Sequence, residues 1–255
     1  MSAHRRDFLN LVTGSVIAAT IAAPAVRAQT TDRRKIRAVA FDGFPIIDPR
    51  PVFAEVEAMF PGKGVELSNA WRTRQFEYTW LRTMSGRYAD FWHVTEQALV
   101  FAAKLMRLEL PGAQRDRLMQ SYLGLKAWPD VAPALKKLAD AGIRMAFLSN
   151  LTAEMLDAAV RNSGLQGMFE GHLSTDRVKA FKPDPRAYQM GVDAFGMEKE
   201  EIAFAAFAGW DAAGAKWFGY PTFWVNRAGA PLEELGVMPD GTGSGLDDLV
   251  SFVGR

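Results

Sequence analysis

The chain contains no cysteine. Disulfide staples, thiolate nucleophiles and cysteine-ligated zinc are therefore excluded. Histidine is nearly as scarce. Of 3 in the sequence, His4 lies in the leading segment, while His93 and His172 are far apart and offer no spacing for a His-rich metal site. Neither sign of charge dominates. With 30 Lys and Arg against 29 Asp and Glu, the formal net charge is +1, which supplies no field for nucleic acid, and no basic stripe forms. The densest basic cluster, Arg33-Arg34-Lys35, precedes the first predicted strand and reads as a solvated run. No G-x-G-x-x-G follows a predicted strand, so a nucleotide site at a Gly-rich turn has no support. The apolar stretch from Leu11 to Ala25 contains Gly14 and Thr20 and falls short of the roughly 20 residues that span a bilayer.

What is present begins with a leader-like pattern. Arg5-Arg6 is followed by Asp7-Phe8-Leu9, then by the short apolar stretch, then by Ala25-Val26-Arg27-Ala28. A charged start, an apolar middle and a small-residue exit read as a cleavable export signal over residues 1–28, with the cut expected after Ala28. The arginine pair points to the twin-arginine route and its export machinery, and so to a periplasmic protein. An uncleaved amphipathic anchor is the alternative. Removing the segment leaves enough chain for one α/β domain with an insertion.

In the remainder, Ile36 to Phe41 is a short apolar run that ends at Asp42 and reads as a buried strand. Further strands are predicted at residues 144–148, 172–174, 202–207 and 222–225, with helices between them at 133–141, 152–162, 185–195 and 211–218. Alternating strands and helices indicate a doubly wound α/β parallel sheet covered on both faces. In such sheets ligands bind at the carboxyl ends of the strands. Asp42, Ser149-Asn150 and Gly209-Trp210-Asp211 all fall at such ends. Between residues 48 and 126 the strand rhythm stops and helical spacing takes over, at 72–84 and 95–108, with many aromatic residues. This reads as a helical cap inserted after the first strand, dividing the chain into a core of residues 34–47 and 127–255 and a cap of 48–126. Residues 236–245, rich in Gly, Pro and Thr, are expected to form a surface loop.

A carboxylate at the tip of a buried strand, followed by Gly43, is placed to attack an electrophile if positive charge keeps it ionised. Lys182, in Phe181-Lys182-Pro183-Asp184, precedes a proline-stiffened helix start and is the candidate cation. The sequence resembles the L-2-haloacid dehalogenases of the haloacid dehalogenase superfamily over nearly its whole mature length. The resemblance rests on Ala40-Phe41-Asp42, on Trp71-Arg72 with Glu77-Tyr78-Thr79-Trp80-Leu81-Arg82, and on Leu148-Ser149-Asn150. It continues through Lys182-Pro183-Asp184, Trp210-Asp211-Ala212 with Gly214-Ala215, and Phe218-Gly219-Tyr220-Pro221-Thr222.

The resemblance implies a two-step displacement at carbon 2 of a small 2-haloacid, with no metal and no cofactor, and the homodimer common in the family. Asp42 would be the nucleophile that forms an ester, and Arg72 would hold the departing halide or the substrate carboxylate. Ser149 would bind the carboxylate, with Asn150 beside it. Lys182 would neutralise the carboxylates, and Asp211 would position the hydrolytic water. Phe44, Phe91, Tyr188 and Trp210 would complete the substrate-binding set. The chain also departs from the family. Where the family reads Asp-x-Tyr-Gly-Thr, this chain has Asp42-Gly43-Phe44-Pro45-Ile46, and Ala206 and Ala208 replace a Ser and an Asn. Losing one aligned donor in such a site costs on the order of 10²-fold in rate, so ester formation is expected to survive better than ester hydrolysis. Two rivals stay open at this level. One is a phosphatase of the same superfamily, opposed by Phe44 in place of a second acid. The other is a carboxylate-binding protein without turnover, opposed by the intact charge cluster.

Overall fold

Apolar runs without polar alternation suit strands buried on both faces of a parallel sheet. The structure, a computed structural model, describes residues 35–254; the expected export signal lies outside the described residues. β1 (Ala38–Phe41) is buried throughout and pairs in parallel with β2 (Arg144–Ser149) on one side and β4 (Ile202–Ala206) on the other. β3 (His172–Ser174) adds beyond β2, and β5 (Thr222–Val225) and β6 (Gly241–Gly243) add beyond β4. The order β3-β2-β1-β4-β5-β6 reverses direction between β1 and β4, and that switch point opens the crevice where ligands bind.

Successive strand residues point to opposite faces, and the sheet has a core on each. Val39 and Phe41 join one cluster with Leu135, Phe147, Leu156 and Leu249. Ala38 and Ala40 join the other with Leu148, Tyr188, Phe204 and Tyr220. After β1 come the short α1 (Gly43–Ile46) and then four helices, α2 (Arg50–Met59), α3 (Gly64–Met84), α4 (Phe91–Leu105) and α5 (Gly112–Ser121). The chain leaves and re-enters the core at adjacent points: Asp48 N–H donates to the Lys126 carbonyl at 2.9 Å, Trp128 N–H donates to Ile46 at 2.9 Å, and Ile47 bridges Ala127. The sheet is completed by α6 (Val131–Asp140), α7 (Ala153–Ser163), α8 (Pro185–Phe195), α9 (Gly209–Phe218) and α10 (Leu246–Val253).

Local chemistry explains most boundaries. Thr152 caps α7 through the Met155 amide, and Gly164 ends it at φ 66°, a left-handed stop that glycine takes without steric cost. Asp184 caps α8, with Pro185 in its first turn. α3 begins well before the expected residue 72, because both Glu57 carboxylate oxygens accept backbone amides at its start, from Gly62 at 2.7 Å and Gly64 at 2.8 Å. That is a tertiary cap which sequence spacing does not reveal. α4 likewise starts ahead of residue 95, where Asp90 accepts from the His93 amide at 2.8 Å.

One expectation is corrected outright. Within the segment read as a loop, residues 241–243 form β6, and α10 follows. Gly-Thr-Gly carries no strand signature. It pairs because Gly241, which has no side chain, fits beside Phe223 and Phe252; a Cβ there would stand 2.8 Å from the Phe223 ring. The start of α10 is held from elsewhere in the chain, with Asp130 accepting from the Leu246 amide at 2.8 Å while pairing with Arg227 at 3.0 Å. Asp130→Ala is expected to lower unfolding free energy in urea by about 1–2 kcal/mol, the typical cost of a lost N-cap. An unchanged midpoint would show that α10 is held by its apolar face alone.

Candidate active site

Four elements deliver the buried polar groups to the switch point. Asp42 follows β1, and its own N–H donates to the Ala205 carbonyl of β4 at 3.0 Å. Gly43 has to be small here. A Cβ would lie 2.6 Å from Leu151 Cδ1 and 3.0 Å from Ser149 Oγ, so the β1 and β2 ends approach more closely than any side chain allows. Lys182 comes from the loop after β3, through a cis Lys182–Pro183 peptide. Asp211 sits in the first turn of α9, where the helix dipole favours negative charge.

These three charges meet. Lys182 Nζ donates to Asp42 Oδ1 at 2.8 Å and to Asp211 Oδ2 at 2.5 Å. Lys182 and Asp211 are each 1% exposed, and Asp42 is 9% exposed. Beneath the ammonium, 5.0 Å away, lies the Phe204 ring, a face that also attracts a cation. Burial opposes the lysine's charge, but Asp211 and Asp42 outweigh it and hold its pKa above the ordinary value. Asp211 moves the other way: burial, with repulsion from Asp42, lifts its carboxyl to about 6 against the pull of Lys182. Two acids sharing one cation leave the group one negative charge in excess, and the deeper acid carries the penalty.

The remaining valences are assigned. Tyr188 O–H donates to Asp211 Oδ1 at 2.8 Å, so both Asp211 oxygens are engaged. Asp42 Oδ2 takes only a 3.3 Å bond from the Phe44 amide and is the freer oxygen. Asn150 Oδ1 accepts from the Lys182 amide at 3.0 Å, which fixes the orientation of its side-chain amide and leaves the NH₂ group as donor. Ser149 Oγ accepts from the Leu151 amide at 3.2 Å, leaving its proton to give.

Asp42, Ser149, Asn150 and Asp211 open onto a small closed cavity of about 20 Å³, walled by Phe44, Phe76, Phe91, Leu151, Phe207, Ala208 and Trp210. That is room for little more than one water-sized group. Larger clefts of about 630 and 470 Å³ lie on the helical insertion, but neither contains the paired carboxylates.

Most sequence-predicted site residues therefore converge, and two are placed differently. Tyr188 is wholly buried behind Asp211 and touches the carboxylate instead of the cavity. Arg72 does not line the cavity: it is exposed, lies 5.4 Å over the Phe53 ring, and borders the outer cleft. The reason is geometric. Arg72 stands one turn ahead of Phe76 on α3, about 5–6 Å along the same face, and the apolar residue takes the inner place. Phe76 and Phe207 are wall residues that sequence reasoning missed. The i, i+4 relation of Phe76 to Arg72 was a usable signal; for Phe207, which packs against Phe44 at 5.8 Å, there was none. Of the departures from the family pattern, Phe44 and Ala208 face the cavity. Ile46 and Ala206 are buried in the two cores.

Replacing Lys182 by Met would strand two buried carboxylates, at a cost of roughly 3–5 kcal/mol near neutral pH. Protonation of the stranded acids in the native state would shrink the deficit as pH falls. Urea unfolding of Lys182→Met near neutral and mildly acidic pH checks both the size and the sign.

Residues 11–219 match the family model for haloacid dehalogenase-like hydrolases. The chain is 41% identical over 221 residues to haloacetate dehalogenase H-2 of Moraxella sp. (strain B), which spans 86% of this chain and 99% of that protein. It is 39% identical over 206 residues to an (S)-2-haloacid dehalogenase of Pseudomonas sp. (strain YL), covering 80% and 89%. Among solved structures, an L-2-haloacid dehalogenase at 41% identity superposes with TM-score 0.85 over 87% of this chain and 100% of that one. The enzyme from Xanthobacter autotrophicus, with chloropropionic acid covalently bound, matches at 33% identity and TM-score 0.78 over 86% and 98%. With this sheet order, this helical insertion and an aspartate at the first strand's end, the chain belongs to the haloacid dehalogenase-like hydrolases.

Proposed function

We propose that the protein hydrolyses short (S)-2-haloalkanoic acids to (R)-2-hydroxy acids through an ester on Asp42. One observation carries this reading: an aspartate whose freer oxygen opens into an aromatic-walled cavity, with its charge held by buried Lys182 and a second carboxylate, Asp211, beside it. In the first step an Asp42 oxygen attacks carbon 2 from the side opposite the halogen. A C–O bond forms, the C–halogen bond breaks with its electron pair, and the carbon inverts. Asp42 loses its charge in this step, while Lys182 remains paired with Asp211. The Ser149 hydroxyl and the Asn150 NH₂ are the donors available to the substrate carboxylate. In the second step a water adds to the Asp42 acyl carbon as one of its protons passes to Asp211. The ester C–O bond then breaks, and the departing oxygen takes that proton from Asp211 to give the hydroxy acid. The remaining carboxyl proton leaves to solvent, restoring ionised Asp42. Rotation of its long side chain would bring Arg72 from the Phe53 ring to the cavity mouth, where its charge suits a carboxylate or a leaving halide.

The second step is the slow one. Ala208 presents no donor to the cavity, and both Asp211 oxygens already accept hydrogen bonds, so the water is poorly aligned. Halide from racemic and single-enantiomer 2-chloropropionate is therefore expected as a burst followed by slow turnover, confined to the (S) form and unaffected by a chelator. Intact mass should show the adduct accumulating on Asp42. Turnover that needs magnesium would favour the phosphatase chemistry of the wider superfamily, and absence of both halide and adduct would favour a carboxylate-binding role. Asp42→Asn should abolish halide release while leaving the melting temperature close to wild type; undiminished release would overturn the assignment. Arg72→Ala should lose most activity with little change in melting temperature.

The hydrolytic step needs ionised Asp211. Its carboxyl is lifted to about 6 by burial, so turnover should fall as pH drops through that value. Tyr188→Phe removes a hydrogen bond that favours the ionised form, so the acid limb should move to higher pH; a limb that stays put would exclude Asp211 as the base.

The proposal extends to export of residues 1–28 by the twin-arginine machinery to the periplasm, and to a homodimer. Lysine at both Arg5 and Arg6 should retain the protein in the cytoplasm. Light scattering of the purified mature chain reports its assembly.

A further inference from the structure

Lys182 is placed by its backbone, and that backbone is held from two directions. On the core side, the Lys182 amide donates to Asn150 Oδ1 at 3.0 Å. On the other side the partner belongs to the helical insertion: the Phe181 amide donates to Thr83 Oγ1 at 3.0 Å. Thr83 lies in the last turn of α3 and donates its own hydroxyl proton to the Thr79 carbonyl at 2.9 Å. The single hydroxyl therefore serves both ways, as donor within α3 and as acceptor for the loop that carries Lys182. The adjoining contacts tighten the same seam. Tyr88 stacks on Phe181 at 4.9 Å and 28°, and its hydroxyl bonds Asp176 in the segment after β3. Burial together with Asp176 raises the phenol's pKa, so it remains a donor.

We propose that Thr83 is a positioning residue for Lys182, and that its hydroxyl couples the seating of the helical insertion to placement of the ammonium between Asp42 and Asp211. A loosely seated insertion leaves Phe181 N–H without an acceptor and the lysine loop free to drift. A seated one holds Lys182 between both carboxylates and closes the aromatic wall through Phe91, which packs edge-on against Phe181 at 6.3 Å. Closing the cavity and assembling the charge cluster are then one event. Drift of Lys182 away from Asp211 would withdraw the attraction that opposes the upward shift of that acid, so its pKa would rise further.

The reading of turnover rests on the proposed dehalogenase activity, so the test carries a second readout independent of it. Thr83→Val deletes the acceptor while keeping the shape, Thr83→Ser restores the hydroxyl, and Thr83→Ala supplies a good helix former should the valine variant fold poorly. With chloroacetate from about pH 5 to 9, Thr83→Val is expected to lose on the order of 10- to 100-fold in kcat, with KM within about threefold and the acid limb moved upward. Peptide-level hydrogen exchange over residues 176–184 should quicken in the Val and Ala variants and return to wild type in Thr83→Ser, along with kcat. Wild-type kcat, acid limb and exchange in both Thr83→Val and Thr83→Ala would overturn the proposal. So would a loss of activity that follows melting temperature alone, with the acid limb unmoved and no rescue by Ser. If the wild type releases no halide from chloroacetate, the activity reading fails while the exchange comparison still decides the role of Thr83.

Discussion

The Lys182 ammonium, held between Asp42 and Asp211 where almost no water reaches, is the constraint on which the rest of the structure depends. Withdrawing three charges from solvent is expensive, and mutual attraction offsets the cost only where geometry is good and the remaining lone pairs find partners. The fold supplies both. Parallel strands bring the Asp42 end of β1 beside the start of α9, the loop after β3 carries the lysine across, and Tyr188 and Phe204 fill positions where water would otherwise enter. The cluster is left with one negative charge in excess. That excess, together with burial, keeps Asp211 close to the point where it takes up a proton.

Around this cluster the walls are almost wholly apolar. Excluding water strengthens every electrostatic contact inside, which suits displacement of a halide by a carboxylate. The same dryness hinders the next step, which needs one water held in line. Asp211 is the group available to hold it, and its oxygens already serve Lys182 and Tyr188. Phe207 and Ala208, at the turn from β4 into α9, add a ring and a methyl group to the cavity lining.

The helical insertion does more than cover the site. Phe76 and Phe91 shape the cavity, while Thr83 and Tyr88 bond and stack on the loop that carries Lys182. The insertion thus bears on the loop that carries one member of the charge cluster, although the two are far apart in sequence.

Much of this was legible in the sequence, for identifiable reasons. Strands buried on both faces appear as apolar runs, helices announce themselves by spacing and caps, and parallel sheets place ligands at strand ends. Asp42, Ser149, Asn150 and Asp211 could therefore be located before any coordinates, and the aromatic richness of the insertion foretold its walls. Other features depended on partners distant in the chain. β6 is a strand because Gly-Thr-Gly fits beside Phe223; α3 starts early because Glu57 caps it from another helix; α10 is anchored by Asp130. The sequence reading put Arg72 at the cavity, but Phe76 takes that place, since both lie on one helical stripe and only packing against α2 and the core separates them. Tyr188 was found as a site residue but not as the group behind Asp211, because spacing does not say which side of a carboxylate a ring occupies. The sequence by itself determined the alternation of the first five strands with helices, and which polar groups stand at the strand ends, since local periodicity and residue chemistry carry that information. Only the tertiary structure decided the sharing of one lysine by two acids, the closure of the cavity and the bond from Thr83, because each depends on distances between segments that have no contact along the chain.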